Sequence, residues 1–191
     1  MEKIAIFASG SGSNAENIIR HFAGKEDFCI TRIYCNVPDA YVLERAKQLG
    51  VPATVFTREE FRHPEGIFRQ LQEEGTDFIV LAGFLWLMPG HIVEAYPNRI
   101  VNIHPALLPS YGGKGMYGHH VHEAVIAAKE EESGITIHFV NEHYDSGSII
   151  FQAKCPVLPE DTADTLAERV HELEYRYFPR VIEETVMDLL D

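Results

Sequence analysis

Asn102 and His104 stand two residues apart after the apolar pair Ile100-Val101 and immediately before Pro105. In an extended strand, residues at that spacing face the same side, so the amide and the imidazole project together. Pro105 has no N–H to give a sheet ladder and ends the strand there. The pair is therefore expected at a strand end, where open α/β sheets bind their ligands. Asn supplies a neutral donor for a developing oxyanion, and His a proton that moves near pH 7. The combination suits acyl-type transfer, although Asn-x-His at a strand end also serves as a plain structural pair. Asp145 lies in the polar turn 141–148 and is the carboxylate that could fix the imidazole and take up a proton through water. Before Ser146-Gly147 it could equally be a simple turn former.

A second constellation lies near the start of the chain. The apolar run 4–8 reads as a buried strand, followed by Ser9-Gly10-Ser11-Gly12-Ser13-Asn14 and a helical pattern over 15–22. Glycines admit close approach of an anion. The free N–H groups of a first helical turn, with Ser13 and Asn14 beside them, can hold a phosphate. The same residues partly fit the dinucleotide fingerprint Gly10-x-Gly12-x-x-Ala15, which calls for an acid about 20 positions on, at the end of the second strand. That strand, 30–36, ends in Asn, and the nearest acid, Asp39, follows Pro38. A terminal phosphomonoester suits the loop better than NAD, and a tight turn closing strand onto helix is the third reading.

These side chains must be positioned by a regular alternation of elements. A helix is expected over 40–49, a short strand over 53–56, a helix over 67–74 and a buried strand over 77–82. Alternation of this kind specifies a doubly wound parallel sheet with helices on both faces. Strands over 134–140 and 148–153 close as an antiparallel hairpin. A long helix over 162–190 is expected to break or kink near Pro179. The apolar stretch 84–88 at the edge of the fourth strand is either core or the wall of a slot for a flat aromatic ligand. Residues 112–118 carry four glycines and read as a loop able to close over a site. His119, His120 and His122 follow in a helix running to about residue 129; no Cys or HExxH pattern accompanies them, and a solvated helix start is favoured over zinc.

Composition narrows the class. The 191 residues suffice for one domain with a full core, 1–191, and 46% hydrophobic with 24% charged residues is ordinary for a globular protein. A net charge of −13 argues against a general nucleic-acid or anionic-membrane surface. No apolar run approaches the roughly 18 residues that cross a bilayer. Cys29, Cys35 and Cys155 match no metal spacing and read as free thiols of a cytoplasmic protein.

Taken together, Gly10-Ser11-Gly12-Ser13-Asn14, Leu81-Ala82-Gly83-Phe84, Asn102-Ile103-His104-Pro105-Ala106-Leu107-Leu108-Pro109 and Asp145 in its Asp-x-Gly turn resemble, in order and over nearly the full length, the glycinamide ribonucleotide formyltransferases. The second and third pieces are shared with methionyl-tRNA formyltransferase and formyltetrahydrofolate hydrolase; the first points to the nucleotide-amine branch. The resemblance implies a Rossmann-like formyltransferase fold. It also implies transfer of a formyl group from 10-formyltetrahydrofolate to the amine of glycinamide ribonucleotide in de novo purine biosynthesis, by direct attack through a tetrahedral intermediate. Asn102, His104 and Asp145 would form the catalytic trio, with Asp145 holding His104 in its charged form. Gly12, Ser13 and Asn14 would bind the phosphate, and His171, Glu172, Leu173 and Glu174 the rest of the nucleotide, with Glu174 on the ribose. Leu85, Trp86, Leu87 and Met88, with Asn141, Glu142, His143, Tyr144 and Asp145, would line the folate pocket alongside Asn102, and Arg58 would contact the folate. No metal is implied, nor any membrane or nucleic-acid partner, and the expected state is a monomer or weak homodimer. Trp86, where many relatives resemble an Arg, and a longer 112–118 loop depart from the family pattern. A hydrolase passing the formyl group to water is the alternative with the same trio.

Overall fold

The unbroken apolar run after Lys3 forms β1 (Glu2–Ala8) at the centre of the sheet in a computed structural model that describes residues 1–191. Around it the chain builds β2 (Phe28–Cys35), β3 (Ala53–Val55), β4 (Phe78–Leu81), β5 (Ile100–His104), β6 (Glu132–Phe139) and β7 (Ile149–Pro156) in the order β3-β2-β1-β4-β5-β6-β7. The pairings from β3 to β5 are parallel, and β6 and β7 are antiparallel. The doubly wound sheet with its terminal hairpin is thus the architecture read from the sequence.

Helices α1 (Ser13–Phe22), α2 (Tyr41–Gln48), α6 (His119–Ala127) and α7 (Ala163–Asp188) enclose a core on one face with Ile4, Ile6, Ala8 and Val80 of the sheet. The opposite face places Ala5, Phe7, Ile79 and Ile100 against Phe61, Leu71 and Ile92 of α3 (Arg58–Arg62), α4 (Arg69–Glu73) and α5 (Gly90–Ala95). Because both faces of β1 and β4 are covered, their buried positions form continuous apolar runs rather than alternating with polar ones.

Between β3 and β5 the structure holds more elements than the sequence pattern predicts. Thr57 and Glu60 form a capping box that starts α3, and neither α3 nor α5 is among the expected elements. The single helix expected over 67–74 is a wide turn, Pro64–Phe68, leading into α4. The break expected at Pro179 does not occur: α7 continues through it as one helix. Val170, Phe178, Val181 and Ile182 are buried, so tertiary packing outweighs the one backbone bond that proline removes. No helix is long and apolar enough to cross a membrane. All three cysteines are unpaired, and burial pushes the thiols of Cys35 and Cys155 up.

Candidate active site

Strand order reverses on either side of β1, and the crevice between the carboxyl ends of β1 and β4 is where this topology leaves room for a ligand. Ser9, just past β1, closes the base of that crevice. Its N–H donates to the Gly83 carbonyl (3.1 Å), its hydroxyl donates to Asn36 Oδ1 (2.6 Å), and it accepts from the Leu85 N–H (3.0 Å). A continuous cavity of about 580 Å³ runs from the 10–14 loop past the 81–88 segment to the end of β5.

Asn102, His104 and Asp145 all line this cavity. β5 delivers the first two at its carboxyl end, and its antiparallel register with β6 sets His138 opposite Asn102. His104 Nδ1 lies 3.5 Å from Asp145 Oδ2, and His138 Nε2 lies 3.6 Å from Asp145 Oδ1. Asn102 Nδ2 is 3.2 Å from His138 Nε2. Asp145 reaches in from the β6–β7 turn with φ 51°, a left-handed conformation that Asp tolerates. Gly147, two residues on, has no room for a Cβ against the Phe139 carbonyl. The Asp-x-Gly spacing is therefore a backbone requirement that aims the carboxylate.

His104 is almost wholly buried, and that burial pulls its pKa below the ordinary histidine value; Asp145 and the Tyr111 carbonyl oppose the shift. Its Nε2 lies 2.6 Å from the Tyr111 carbonyl, which can only accept, so Nε2 carries the proton and Nδ1 faces the carboxylate. For Asp145, burial pushes the pKa up, but the His138 and His104 rings beside it, whose protonated forms favour the carboxylate, and the Gly113 N–H (3.0 Å) together hold it below the usual carboxylate range. The expectation that Asp145 holds His104 in its charged form is corrected: desolvation wins, and the resting pair is a carboxylate beside a neutral imidazole.

At the other end, Gly12 caps α1 with φ 77°, and a Cβ there would lie 2.5 Å from Val42 Cγ2. The first intrahelical bond is Glu16 N–H to the Gly12 carbonyl, which leaves the N–H groups of Ser13, Asn14 and Ala15 without helical partners. Arg45 donates to the Ser11 carbonyl (2.7 Å) and so ties α2 to the loop. From α7, buried Glu174 accepts from Asn14 Nδ2 (2.8 Å) and pairs with His171 Nδ1 (3.0 Å), while the Tyr175 hydroxyl donates to Ser13 (3.1 Å). Glu174 raises the His171 pKa through that hydrogen bond. An anion-sized cradle and a carboxylate are thus held together. Asp39, the acid that a dinucleotide would want, is exposed and outside the cavity.

The 84–88 stretch serves both roles foreseen for it. Met88 is buried and Phe84 and Trp86 pack edge-on or tilted against Phe56 and Phe61, while Leu85 and Leu87 stay exposed on the cavity wall. His143 and Tyr144 line the cavity too. Several expected contacts do not. Glu172 is exposed and Leu173 packs toward the core, because on a helix only one stripe near His171 and Glu174 faces the site. Asn141 turns back to accept from the His143 N–H and the Ser146 hydroxyl. Arg58 stacks on Trp86 at 4.4 Å and, with Glu142, lines a shallower depression beside the cavity.

His138 escaped the sequence reading; its signal was the shared strand face of Thr136 and His138, which becomes chemical only through the β5 register. Thr136 accepts from the Leu108 N–H (3.0 Å) and donates to the Ala106 carbonyl (2.7 Å), fixing the segment after His104. His122 was expected in solvent with its neighbours but is buried, because the first turn of α6 packs against α7 beside the cavity. No group of side chains in the structure is arranged to hold a metal ion.

Residues 2–182 match the family model described as formyl transferase. The chain is 40% identical over 187 residues to the chloroplastic phosphoribosylglycinamide formyltransferase of Arabidopsis thaliana, covering 95% of this chain and 64% of that protein. It is 39% identical to the phosphoribosylglycinamide formyltransferase of Haemophilus influenzae, covering 95% of this chain and 86% of that one. The crystal structure of phosphoribosylglycinamide formyltransferase from Streptococcus pneumoniae superposes with a TM-score of 0.85 at 39% identity, covering 96% and 98% of the two chains. That from Anaplasma phagocytophilum gives 0.88 at 33% identity, with 98% and 88% covered.

Proposed function

We propose, on the premise that this chain belongs to the formyl transferase family, that it transfers the formyl group of 10-formyltetrahydrofolate to the amine of glycinamide ribonucleotide in purine biosynthesis. The observation that carries the reading is that one cavity is lined jointly by Gly12, Ser13 and Asn14, by the Leu85 to Met88 wall, and by Asn102, His104 and Asp145. A phosphate-bearing amine and a flat pterin both find complementary surfaces in it, with acid–base groups lining the same space. The 191 residues act as one formyltransferase unit, and the unpaired cysteines suit a cytoplasmic setting. A monomer or weak homodimer is the state we assign.

The chemistry follows from the groups. The free amine attacks the formyl carbon; the formyl oxygen gains negative charge, the amine must shed a proton and the departing folate nitrogen must gain one. Asn102 donates to the oxyanion, a role worth about 100- to 1000-fold in rate. His104 accepts the proton that the amine sheds and passes it on to the departing nitrogen, worth about 100- to 10,000-fold. Held neutral at rest, His104 becomes charged only as the tetrahedral intermediate forms, when Asp145 stabilises it. One proton moves from amine to folate nitrogen, and the enzyme is regenerated unchanged.

The test is the absorbance change on mixing a 10-formyl folate with the protein, with and without glycinamide ribonucleotide. The reading expects deformylation only when the amine is present. Deformylation without it would identify a hydrolase using the same trio.

A further inference from the structure

The three-histidine motif 119–122 is unused by the chemistry above, and one member of it is unlike the others. His119 and His120 are exposed, whereas His122 is 2% exposed. Val121 and Val125 anchor that side of α6 in the core, and His122 lines the cavity. Its buried Nδ1 finds no hydrogen-bond partner. The charged and titratable groups facing it are His171 and Glu174 from α7, His119 from its own helix and His104 from β5. It therefore has for neighbours groups of both the nucleotide end, His171 and Glu174, and the reacting trio, His104.

Burial holds the ring neutral, with a pKa down to about 4, so it carries one proton. A buried lone pair left unpaired costs less than a buried N–H left unpaired, which puts that proton on Nε2 rather than on the partnerless Nδ1. The ring then offers a single neutral donor. Between the ribose and the attacking amine of glycinamide ribonucleotide lies one acceptor of matching polarity, the glycyl carbonyl oxygen. We infer that His122 donates Nε2–H to that carbonyl, making it a specificity contact that reads the glycinamide arm and sets the amine against the formyl carbon. The inference rests on the substrate reading above.

Calorimetric titration of wild type, His122→Asn and His122→Gln with glycinamide ribonucleotide and with ribose 5-phosphate tests it. Ribose 5-phosphate keeps the phosphate and sugar but lacks the glycinamide arm. The Gln amide reaches where Nε2 sits, and the Asn amide reaches only Nδ1. The expected result is about tenfold weaker binding of glycinamide ribonucleotide by His122→Asn, with recovery in His122→Gln and ribose 5-phosphate unchanged in both. Equal loss of both ligands in His122→Asn, or no loss of either, overturns the contact while leaving the substrate reading intact. Wild-type protein that binds ribose 5-phosphate as tightly as glycinamide ribonucleotide overturns the substrate reading and the contact with it.

Discussion

Replacing Asp145 with Asn removes one charge and almost no volume. The carboxylate faces His104 at 3.5 Å and His138 at 3.6 Å, and both rings are buried. A unit charge pair at 3.5 Å interacts by about 5 kcal/mol at an effective dielectric of about 20. His104 is neutral at rest, so the variant leaves the ground state largely alone and raises the energy of the imidazolium that forms during transfer. If roughly half that charge has developed in the transition state, the cost is about 2.5 kcal/mol, or close to 100-fold in kcat. The substituted amide keeps an oxygen able to accept from the Gly113 N–H, so the turn and the loop stay in place. Steady-state formyl transfer by absorbance, with KM taken for each substrate, reads the effect: kcat should fall by about two orders of magnitude and both KM values should hold within roughly threefold. A kcat within about threefold of wild type would refute the reasoning, because no electrostatic role of that size could then exist.

Two further outcomes follow from the same geometry. Gly12→Ala places a Cβ 2.5 Å from Val42 Cγ2 at φ 77°, so denaturant unfolding should show a loss of about 2–4 kcal/mol, with weaker glycinamide ribonucleotide binding and an unchanged folate KM; Val42→Ala in that background should restore part of both, and no restoration would locate the damage elsewhere. His122 is held neutral down to about pH 4, while the unfolded chain protonates it near the ordinary 6.5. As pH falls through that window the unfolded state takes up a proton the folded state refuses, so stability declines by about 2 kcal/mol between pH 7 and 5 from this group alone. His122→Gln should lose correspondingly less over the same range in chemical denaturation, and an identical decline in both proteins would contradict the assignment.

The parts of this molecule that could be read from sequence are those where one local rule suffices. Apolar runs at β1 and β4, the glycine turn into α1 and the strand-ending Pro105 each signal their structure within a few residues. Asn102 and His104 were legible because strand geometry alone puts them on one face. What needed the fold was anything set by register between distant strands. His138 joins Asp145 only because β6 runs antiparallel to β5 with His138 opposite Asn102. The burial of His122 depends on α6 packing beside α7, and the neutrality of His104 on desolvation that no spacing reveals. Around residues 57–68 the capping box of Thr57 and Glu60 was present in the sequence, yet Pro64 and Gly66 masked the helix on one side and the wide turn on the other.

The central claim is that His104 moves the proton in formyl transfer while other residues hold the nucleotide. The most direct measurement is the single-turnover rate of the His104→Ala variant with saturating 10-formyltetrahydrofolate and glycinamide ribonucleotide, alongside calorimetric binding of the nucleotide. The account predicts transfer below detection with nucleotide affinity preserved. Transfer at close to the wild-type rate by that variant would contradict it.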